Sequence, residues 1–524
     1  MATSYIDSLK SNKPGMVPGA PGKYQISDAQ KLERFLILGT EKGTYYATER
    51  KLTVDAAECV KRLVSDNRTG IMAVSKIVDV SDSGRAAKND QALLALAVAV
   101  KYGTPLVRSE ALDALPKVAR IGTHLFHFLD YAKALNIGWG RSFRRAVAKW
   151  YTEKNAKQLV HQLIKYQQRD GWSNRDALRL SHAVPPTEEH QALFHWVVKG
   201  EGEGKRWSTE SPVATLAAFE RMKKATSDRE VIELIQKYRL PREAVPTQFL
   251  NSPDVWRALL DGMKPEALIR NLGKLTSLNM VGPLSEGERI IKEKLLDAQS
   301  LKDARLHPVK VLVGLLAYRQ GHGSKGSLTW SPNPKIAQYL NEAFYLSFGT
   351  IEPTGKRILK ALDVSGSMSS KVLGNDLLTC RTAGALMSMV SARVEQQTHH
   401  MGFAHRFINL PIGPHQSLEE VERIVYRSDF GSTDCSLPFA WAQSNGIPVD
   451  VFEVYTDNET NYNRIAPSKA LENYRQATGI DAKLVVVAMA VNDVSIADPN
   501  DRSMLDVVGF DTNAPTVIQD FIRG

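Results

Sequence analysis

The residues best suited to chemistry in this chain of 524 residues are oxygen donors near its middle. Asp363, Ser365 and Ser367 follow the apolar run of Ile358, Leu359, Ala361 and Leu362. The run reads as a buried parallel strand, and the loop after it carries one carboxylate and two hydroxyls able to point one way. Hard oxygen donors suit Mg²⁺, which favours octahedral oxygen and keeps several of its waters. Open α/β sheets bind ligands at the carboxyl ends of their strands, where this loop would lie. Asp-x-Ser-x-Ser alone is a weak motif, but two later stretches strengthen it. FGSTDCS (430–436) supplies Thr433 and Asp434 in a Gly/Ser loop, and VFEVYTDNETN (451–461) reads as a strand ending in Asp457. The plainer reading is that these are turn and capping residues. Mg²⁺-dependent hydrolysis is disfavoured, because the set offers ligands but no evident nucleophile–base pair and no second metal site.

One carboxylate, two serines, a threonine and a second aspartate, in that order, resemble the metal-ion-dependent adhesion site of a von Willebrand factor A domain. The resemblance implies a divalent cation, Mg²⁺ or another, held by Asp363, Ser365, Ser367, Thr433 and Asp457.

A second group of residues is cationic. GRSFRRAVAKWY (140–151) sets Arg141, Arg144, Arg145 and Lys149 around a helix start. Arg141, Arg145 and Lys149 recur every four residues and form one stripe. IKYQQRDGWSNRDALRLSH (164–182) holds Lys165, Arg169, Arg175, Arg179 and His182, with a Gly171–Trp172 turn before a helix capped by Ser173 or Asn174. Cations beside aromatic rings at a helix end offer charge for phosphates and flat faces for bases, which is what single-stranded nucleic acid needs. KYRLPREAVP (237–246) and IRNLGKL (269–275) add Arg239, Arg242, Arg270 and Lys274. Against this stand the bland readings: Trp172 as a core anchor, the stripe as a solvated face, His182 as a structural histidine.

The elements that must hold these residues fall into two parts. Apolar residues three and four apart recur from about 55 to 348, broken by short Gly, Pro, Asn or Ser segments. Many short helices with tight connections predict an antiparallel helical array, either a solenoid of HEAT type or, since no strict period is visible, an irregular helical repeat. From 356 onward, strands alternate with helices, with strands expected at 401–410, 449–457 and 482–491, which predicts a doubly wound parallel sheet. Residues 1–30 are rich in Gly, Pro and Ser and read as a flexible arm. The expected division is therefore an arm (1–30), a helical unit (31–350) and an α/β domain (356–524).

Charge follows the same division. The net charge is +10, but residues 1–355 carry +15 and the remainder −5. A basic first part suggests a polyanionic partner, or simply a basic soluble surface. Three cysteines, Cys59, Cys380 and Cys435, without a CxxC pair argue for a reducing compartment and against zinc. The first residues lack an apolar signal core, and runs such as LLALAVAV are too short to span a bilayer. The expectation is a soluble intracellular protein with no membrane partner.

Long segments across nearly the whole chain are similar to the Ro 60 kDa autoantigen (TROVE-domain) family. They include LERFLILGTEKGTYY, IKYQQRDGWSNRDALRLSH, YRLPREAVP, ALIRNLGKLT, RLHPVKVLVGLLAYRQGHG, IEPTGKR, LDVSGSM, GSTDCSLP and YTDNETN. The resemblance implies HEAT-like helices closed into a ring and joined to a von Willebrand factor A domain. It implies a monomeric, non-catalytic, RNA-binding component of a ribonucleoprotein. Y RNA would bind on the outer basic face, and single-stranded 3′ ends of misfolded noncoding RNAs would enter the hole, for RNA quality control. By motif, Lys165, Arg169 and His182 fall on RNA-contacting positions, with Arg141, Arg144 and Arg145 carried over less directly. A protein partner at the metal site is also implied, an exoribonuclease being one candidate, with a cytoplasmic location and a nuclear one as well in a eukaryote. Gly366 stands where the family usually has Ala, and Ser432 where it has Gly. Both changes are small and affect loop stiffness more than ligand identity. The competing function is a metal-dependent protein-interaction scaffold working through the A-type domain.

Overall fold

The computed structural model describes residues 26–40, 44–48, 57–83, 85–86, 88–200, 207–208, 210–282, 285–323, 327–403, 407–426, 434–457, 465–491, 498 and 501–524. The expected arm lies almost wholly outside them, and a helix already begins at Asp28. Helices then follow one another to Leu346. Their starts are written in side chains that satisfy otherwise unpaired backbone N–H groups. Ser27 with Gln30, Asn155 with Gln158, and Ser173 with Asp176 form reciprocal capping boxes. Ser227, Ser252 and Ser285 cap later helices. Several helices end on a residue in the left-handed region or just before one, among them Asn136, His182, Arg239 and Asn279. Each such stop turns the chain back on itself, which is how short helices stack into an array.

The strands are β1 (Thr44–Tyr46), β2 (Gln168–Arg169), β3 (Trp172–Ser173), β4 (Ile358–Asp363), β5 (Lys371–Val372), β6 (Asn375–Thr379), β7 (Thr398–Phe403), β8 (Phe407–Asn409), β9 (Val451–Thr456), β10 (Lys483–Ala488) and β11 (Met504–Val508). Seven form one sheet in the order β1-β11-β10-β9-β4-β7-β8. All its neighbours are parallel except β7 and β8. The strand expected over 401–410 is therefore two strands: the chain folds back, and β8 closes the edge antiparallel. β1 comes from the helical part of the sequence and adds a strand at the opposite edge.

Alternate residues of the central strands face opposite ways. Leu359, Ala361, Phe452, Val454, Leu484 and Val486 form one core. Ile358, Leu362, Tyr455, Val485 and Val487 belong to a second core that runs on without a break into the helical array.

Both ends of that array rest on the α/β domain. At the first end, the Arg34 guanidinium donates to the carbonyls of Asp501 (2.5 Å) and Met504 (3.2 Å). Tyr45 donates to Asp511, and Arg85 pairs with Asp520 at 2.5 Å. At the other end, the Tyr345 hydroxyl accepts from the Leu418 backbone N–H at 3.2 Å. The Arg393 guanidinium lies over the rings of Tyr345 and Phe348, 5.1 and 4.9 Å from their centroids. Anchoring both ends on one domain closes the HEAT-like helices into a ring, with the von Willebrand factor A domain joined to it.

Candidate nucleic-acid interface and metal centre

The cations sit on two helices and the hairpin between β2 and β3. Helix 141–152 begins at Arg141 and buries Phe143, Ala146, Val147 and Trp150. That leaves Arg141, Arg144 and Arg145 exposed. Among the described residues none of the three has a carboxylate partner. Lys149 differs: it pairs with Asp113 at 2.6 Å. The stripe is thus split, with its far end neutralised by the neighbouring helix and its first turn left free.

Lys165 is the last residue of helix 156–165, half-buried, with its ammonium 5.5 Å from the Tyr166 ring centroid. The chain then makes β2, a two-residue turn and β3. Asp170 and Gly171 both have positive φ, +52° and +75°, as a tight hairpin turn of the primed kind requires. Arg169 lies opposite Trp172 across this hairpin, and its side chain is 61% exposed. Asp170 is tied to His127 (2.8 Å) and lies 3.6 Å from the Arg169 guanidinium. This Asp-Gly turn and its histidine anchor escaped the sequence reading, which placed the turn one residue later. The Arg-Asp-Gly-Trp string carried the signal.

Trp172 is half-buried on the core and lies 6.1 Å from Trp139, which in turn meets Phe143 edge-on at 5.1 Å. These rings bind the hairpin to the first turn of the arginine helix. Ser173 caps helix 174–181, and Asn174 closes the joint by donating to the Tyr166 carbonyl and accepting from the Tyr151 hydroxyl. His182 ends that helix, exposed, with φ +52°. One rigid assembly therefore carries Arg141, Arg144, Arg145, Lys165, Arg169 and His182.

The oxygen donors gather at the ends of β4 and β9. Asp363 is buried. Its Oδ1 accepts from the Ser365 N–H at 2.8 Å, and its Oδ2 accepts from the Thr456 hydroxyl at 3.0 Å. Ser365 Oγ and Ser367 Oγ lie 2.9 Å apart, the first buried and the second exposed. Asp457 follows β9 directly and is also buried. Burial raises the Asp363 carboxyl above its usual range; the hydrogen bonds from Ser365 and Thr456 oppose this, and the Asp457 charge adds to it. Burial, with the Asp457 and Asp363 charges adding, pushes the neighbouring Cys380 thiol up to about 12. Thr456 was not singled out from the sequence, though it directly precedes Asp457. Thr433 lies outside the described residues. Asp434 is engaged in a turn, accepting from the Ser436 N–H and hydroxyl at 2.8 and 2.6 Å.

Buried carboxylates that press on one another, beside paired hydroxyls, are a donor set that fits a hard divalent cation. Among the described residues no three of His, Cys, Asp and Glu come together as a metal-binding group. A cation here would thus depend on the hydroxyls and on water, which is how Mg²⁺ is commonly held.

The chain is similar to known proteins over nearly its whole length. Residues 21–317 match the family model described as the TROVE domain, and residues 357–522 match the Ro60 vWA domain. The chain is 42% identical to the RNA-binding protein RO60 of Deinococcus radiodurans, over 98% of this chain and 95% of that one. It is 35% identical to the Caenorhabditis elegans protein of the same name, over 98% and 91%. The crystal structure of the D. radiodurans RO (RSR) protein superposes with a TM-score of 0.88 at 41% identity, covering 95% of this chain and all of that one. A closed helical array anchored at both ends on an A-type domain, with one family model matched over 21–317 and the other over 357–522, means that this chain belongs to the Ro60 family of TROVE-domain proteins.

Proposed function

We propose that this protein binds RNA as part of a ribonucleoprotein and acts in RNA quality control without catalysis of its own. Y RNA binds the outer basic face, and single-stranded 3′ ends of misfolded noncoding RNAs enter the hole of the ring. The observation that carries the reading is the assembly of Arg141, Arg144, Arg145, Lys165, Arg169 and His182 on one braced scaffold. Its three helix arginines lack carboxylate partners among the described residues. The names of the two relatives support the same ligand class. Phosphate contacts give affinity without sequence preference, which suits a protein that samples many defective RNAs. Selection then comes from shape and from access to a free single strand.

The test has two arms. Crosslinking followed by sequencing of co-purified RNA identifies the ligand. The double variant Lys165→Ala/Arg169→Ala is then titrated with a structured RNA bearing a 3′ tail. The expected result is a loss of affinity with a shallower salt dependence. Wild-type affinity in the double variant sinks the assignment of these residues.

A second reading rests on the exposed Ser367 beside the buried Asp363 and Asp457. When bound, Mg²⁺ would supply an open coordination position for an acidic side chain of a protein partner, such as an exoribonuclease. Asp363, Ser365, Ser367, Thr433 and Asp457 would hold it. The two activities can coexist in a cytoplasmic monomer, because they use different domains. Asp363→Ala would then abolish capture of the protein partner and leave RNA affinity unchanged.

A further inference from the structure

A cavity of about 650 Å³ opens where helices 253–260, 265–277 and 308–319 meet His322, Gly323, Leu328 and Trp330, with Thr512 of the α/β domain at its edge. This volume lies within the range of roughly 300–1,000 Å³ that small-ligand pockets span. The fold brings together here two basic segments that the sequence keeps apart. Arg242, Arg270, Lys274 and Lys310 all line the cavity, and Glu266 is its one carboxylate among the lining residues. Glu266 is shared between Arg270 at 2.7 Å and Lys310 at 3.9 Å. The Arg242 guanidinium lies over the Trp256 ring, 5.7 Å from its centroid, and Lys274 donates to the Asn251 carboxamide oxygen at 2.9 Å. Among the described residues neither has a carboxylate partner. Four cations set around one carboxylate leave a site that favours an anion.

The rest of the lining is not what a bare anion needs. Leu250, Ile269 and Val313 make it apolar, and Trp330 gives it a fixed flat surface. The Trp330 indole N–H donates to the Tyr318 carbonyl at 2.8 Å, and the two rings stack 6.2 Å apart. Gly273 permits this placement, since a Cβ there would lie 2.6 Å from the indole. A rigid aromatic surface, an apolar floor and unbalanced cations together match a planar heteroaromatic group joined to a phosphate.

We propose that this cavity binds one ribonucleotide unit, its base against the Trp330 side of the pocket and its phosphate among Arg242, Lys274 and Lys310. The same chemistry is presented by a free nucleotide and by a nucleotide within an RNA chain. The site does not depend on the RNA-binding assignment of Lys165 and Arg169.

Calorimetric titration of the full chain with AMP, with inorganic phosphate and with a short oligoadenylate tests it. AMP is expected to bind saturably, more tightly than phosphate, and at least tenfold more weakly in the Arg242→Gln/Lys274→Gln variant. An unchanged melting temperature would show that this variant is folded. AMP binding that persists in Lys165→Ala/Arg169→Ala separates this site from the one proposed above. If the oligoadenylate fails to displace AMP, the ligand is the free nucleotide. If it displaces AMP and binds more tightly, the ligand is a unit of an RNA chain. No saturable binding of either, phosphate binding as tight as AMP, or AMP binding indifferent to Arg242→Gln/Lys274→Gln overturns the proposal.

Discussion

Trp172 leans on Trp139 with ring centroids 6.1 Å apart and planes tilted by 47°, and the same Trp172 is the register partner of Arg169. Two indoles, Trp172 and Trp139, thus link the hairpin that carries Arg169 to the helix that carries Arg141, the second through Phe143. The role of Trp172 is mainly mechanical, and that separates two kinds of substitution. Trp172→Ala removes a half-buried ring and should cost about 2–3 kcal/mol in stability, measured by urea unfolding. It should also weaken RNA binding while changing the salt slope little. Arg169→Ala should leave stability within about 0.5 kcal/mol and lower the salt slope by about one unit. Equal salt slopes for wild type and Arg169→Ala would show that the guanidinium meets no phosphate.

Lys149 and Arg145 lie on the same helical stripe but differ in surroundings, and the difference is testable. Lys149 is held by Asp113 at 2.6 Å; Arg145 is exposed without such a partner. Arg145→Gln should weaken RNA binding and reduce the salt slope by about one unit, as should Arg141→Gln and Arg144→Gln. Lys149→Gln should do neither, and the loss of an exposed pair should cost at most about 1 kcal/mol. Filter binding of the four variants across a salt series decides the matter.

The helical array and the A-type domain were legible because each has its own period: apolar residues at three and four in the first part, buried strands between helices in the second. That Asp363, Ser365, Ser367 and Asp457 would lie at neighbouring strand ends was legible because parallel strands bring their flanking loops together, whereas Thr433 lies outside the described residues. What stayed hidden depends on distant partners. Nothing near Thr44–Tyr46 announces pairing with Met504–Val508, since three residues are too few to show a period and their neighbour is hundreds of residues away. Trp330 stands in a Gly-, Ser- and Pro-rich stretch of sequence with no apolar period, and only the packing against Gly273 reveals its place. The split of the arginine stripe required knowing where Asp113 falls.

The pair Asp363 and Asp457 predicts an unusual response to a conservative change. Burial and the second carboxylate both disfavour ionised Asp363. Asp363→Asn should therefore leave stability in chelator unchanged or raise it by about 1 kcal/mol. Mg²⁺ should raise the melting temperature of the wild type and not that of Asp363→Asn, because binding to the folded state alone is what stabilises. Thermal scans of both proteins, with and without Mg²⁺, provide the measurement. An identical Mg²⁺ response in the two would remove Asp363 from any cation site.

Two buried histidines set an acid limit on stability. Burial, with the Lys310 charge adding, pushes His307 down to about 3. Burial, with the Lys360 and His399 charges adding, does the same to His400. Both are neutral in the fold, while in the unfolded chain they titrate near 6.5. Below that value the unfolded state binds more protons, so their contribution is complete above about pH 6.5 and is lost as pH falls toward 3. Each should cost about 1.4 kcal/mol per pH unit within that window. His307 also caps helix 308–319 by accepting from the Val309 N–H, a role asparagine can keep. His307→Asn should flatten the acid limb of the stability curve by about that slope, as read from urea unfolding at pH 7, 5.5 and 4.5.

Lys360 and Glu453 face each other on adjacent strands in the middle of the sheet, 2.7 Å apart, with side chains 1% and 2% exposed. The Tyr455 hydroxyl donates to the same carboxylate oxygen at 2.7 Å. Burial pushes the Lys360 ammonium down, and the Glu453 charge opposes that shift. The position lies on the face of the sheet whose apolar residues merge with the core of the ring. Removing one partner leaves a charge that water cannot reach, so Glu453→Gln should destabilise by about 3–5 kcal/mol. Replacing both by apolar residues of similar length, Lys360→Met with Glu453→Leu, removes both desolvation penalties and leaves only the tyrosine hydroxyl to satisfy. The double variant should recover most of the loss. A double-mutant cycle on the two positions should then give a coupling well above the few tenths of a kcal/mol seen between independent sites. Additive losses would mean that the two positions act independently and that the contact adds no coupling to the stability of the fold.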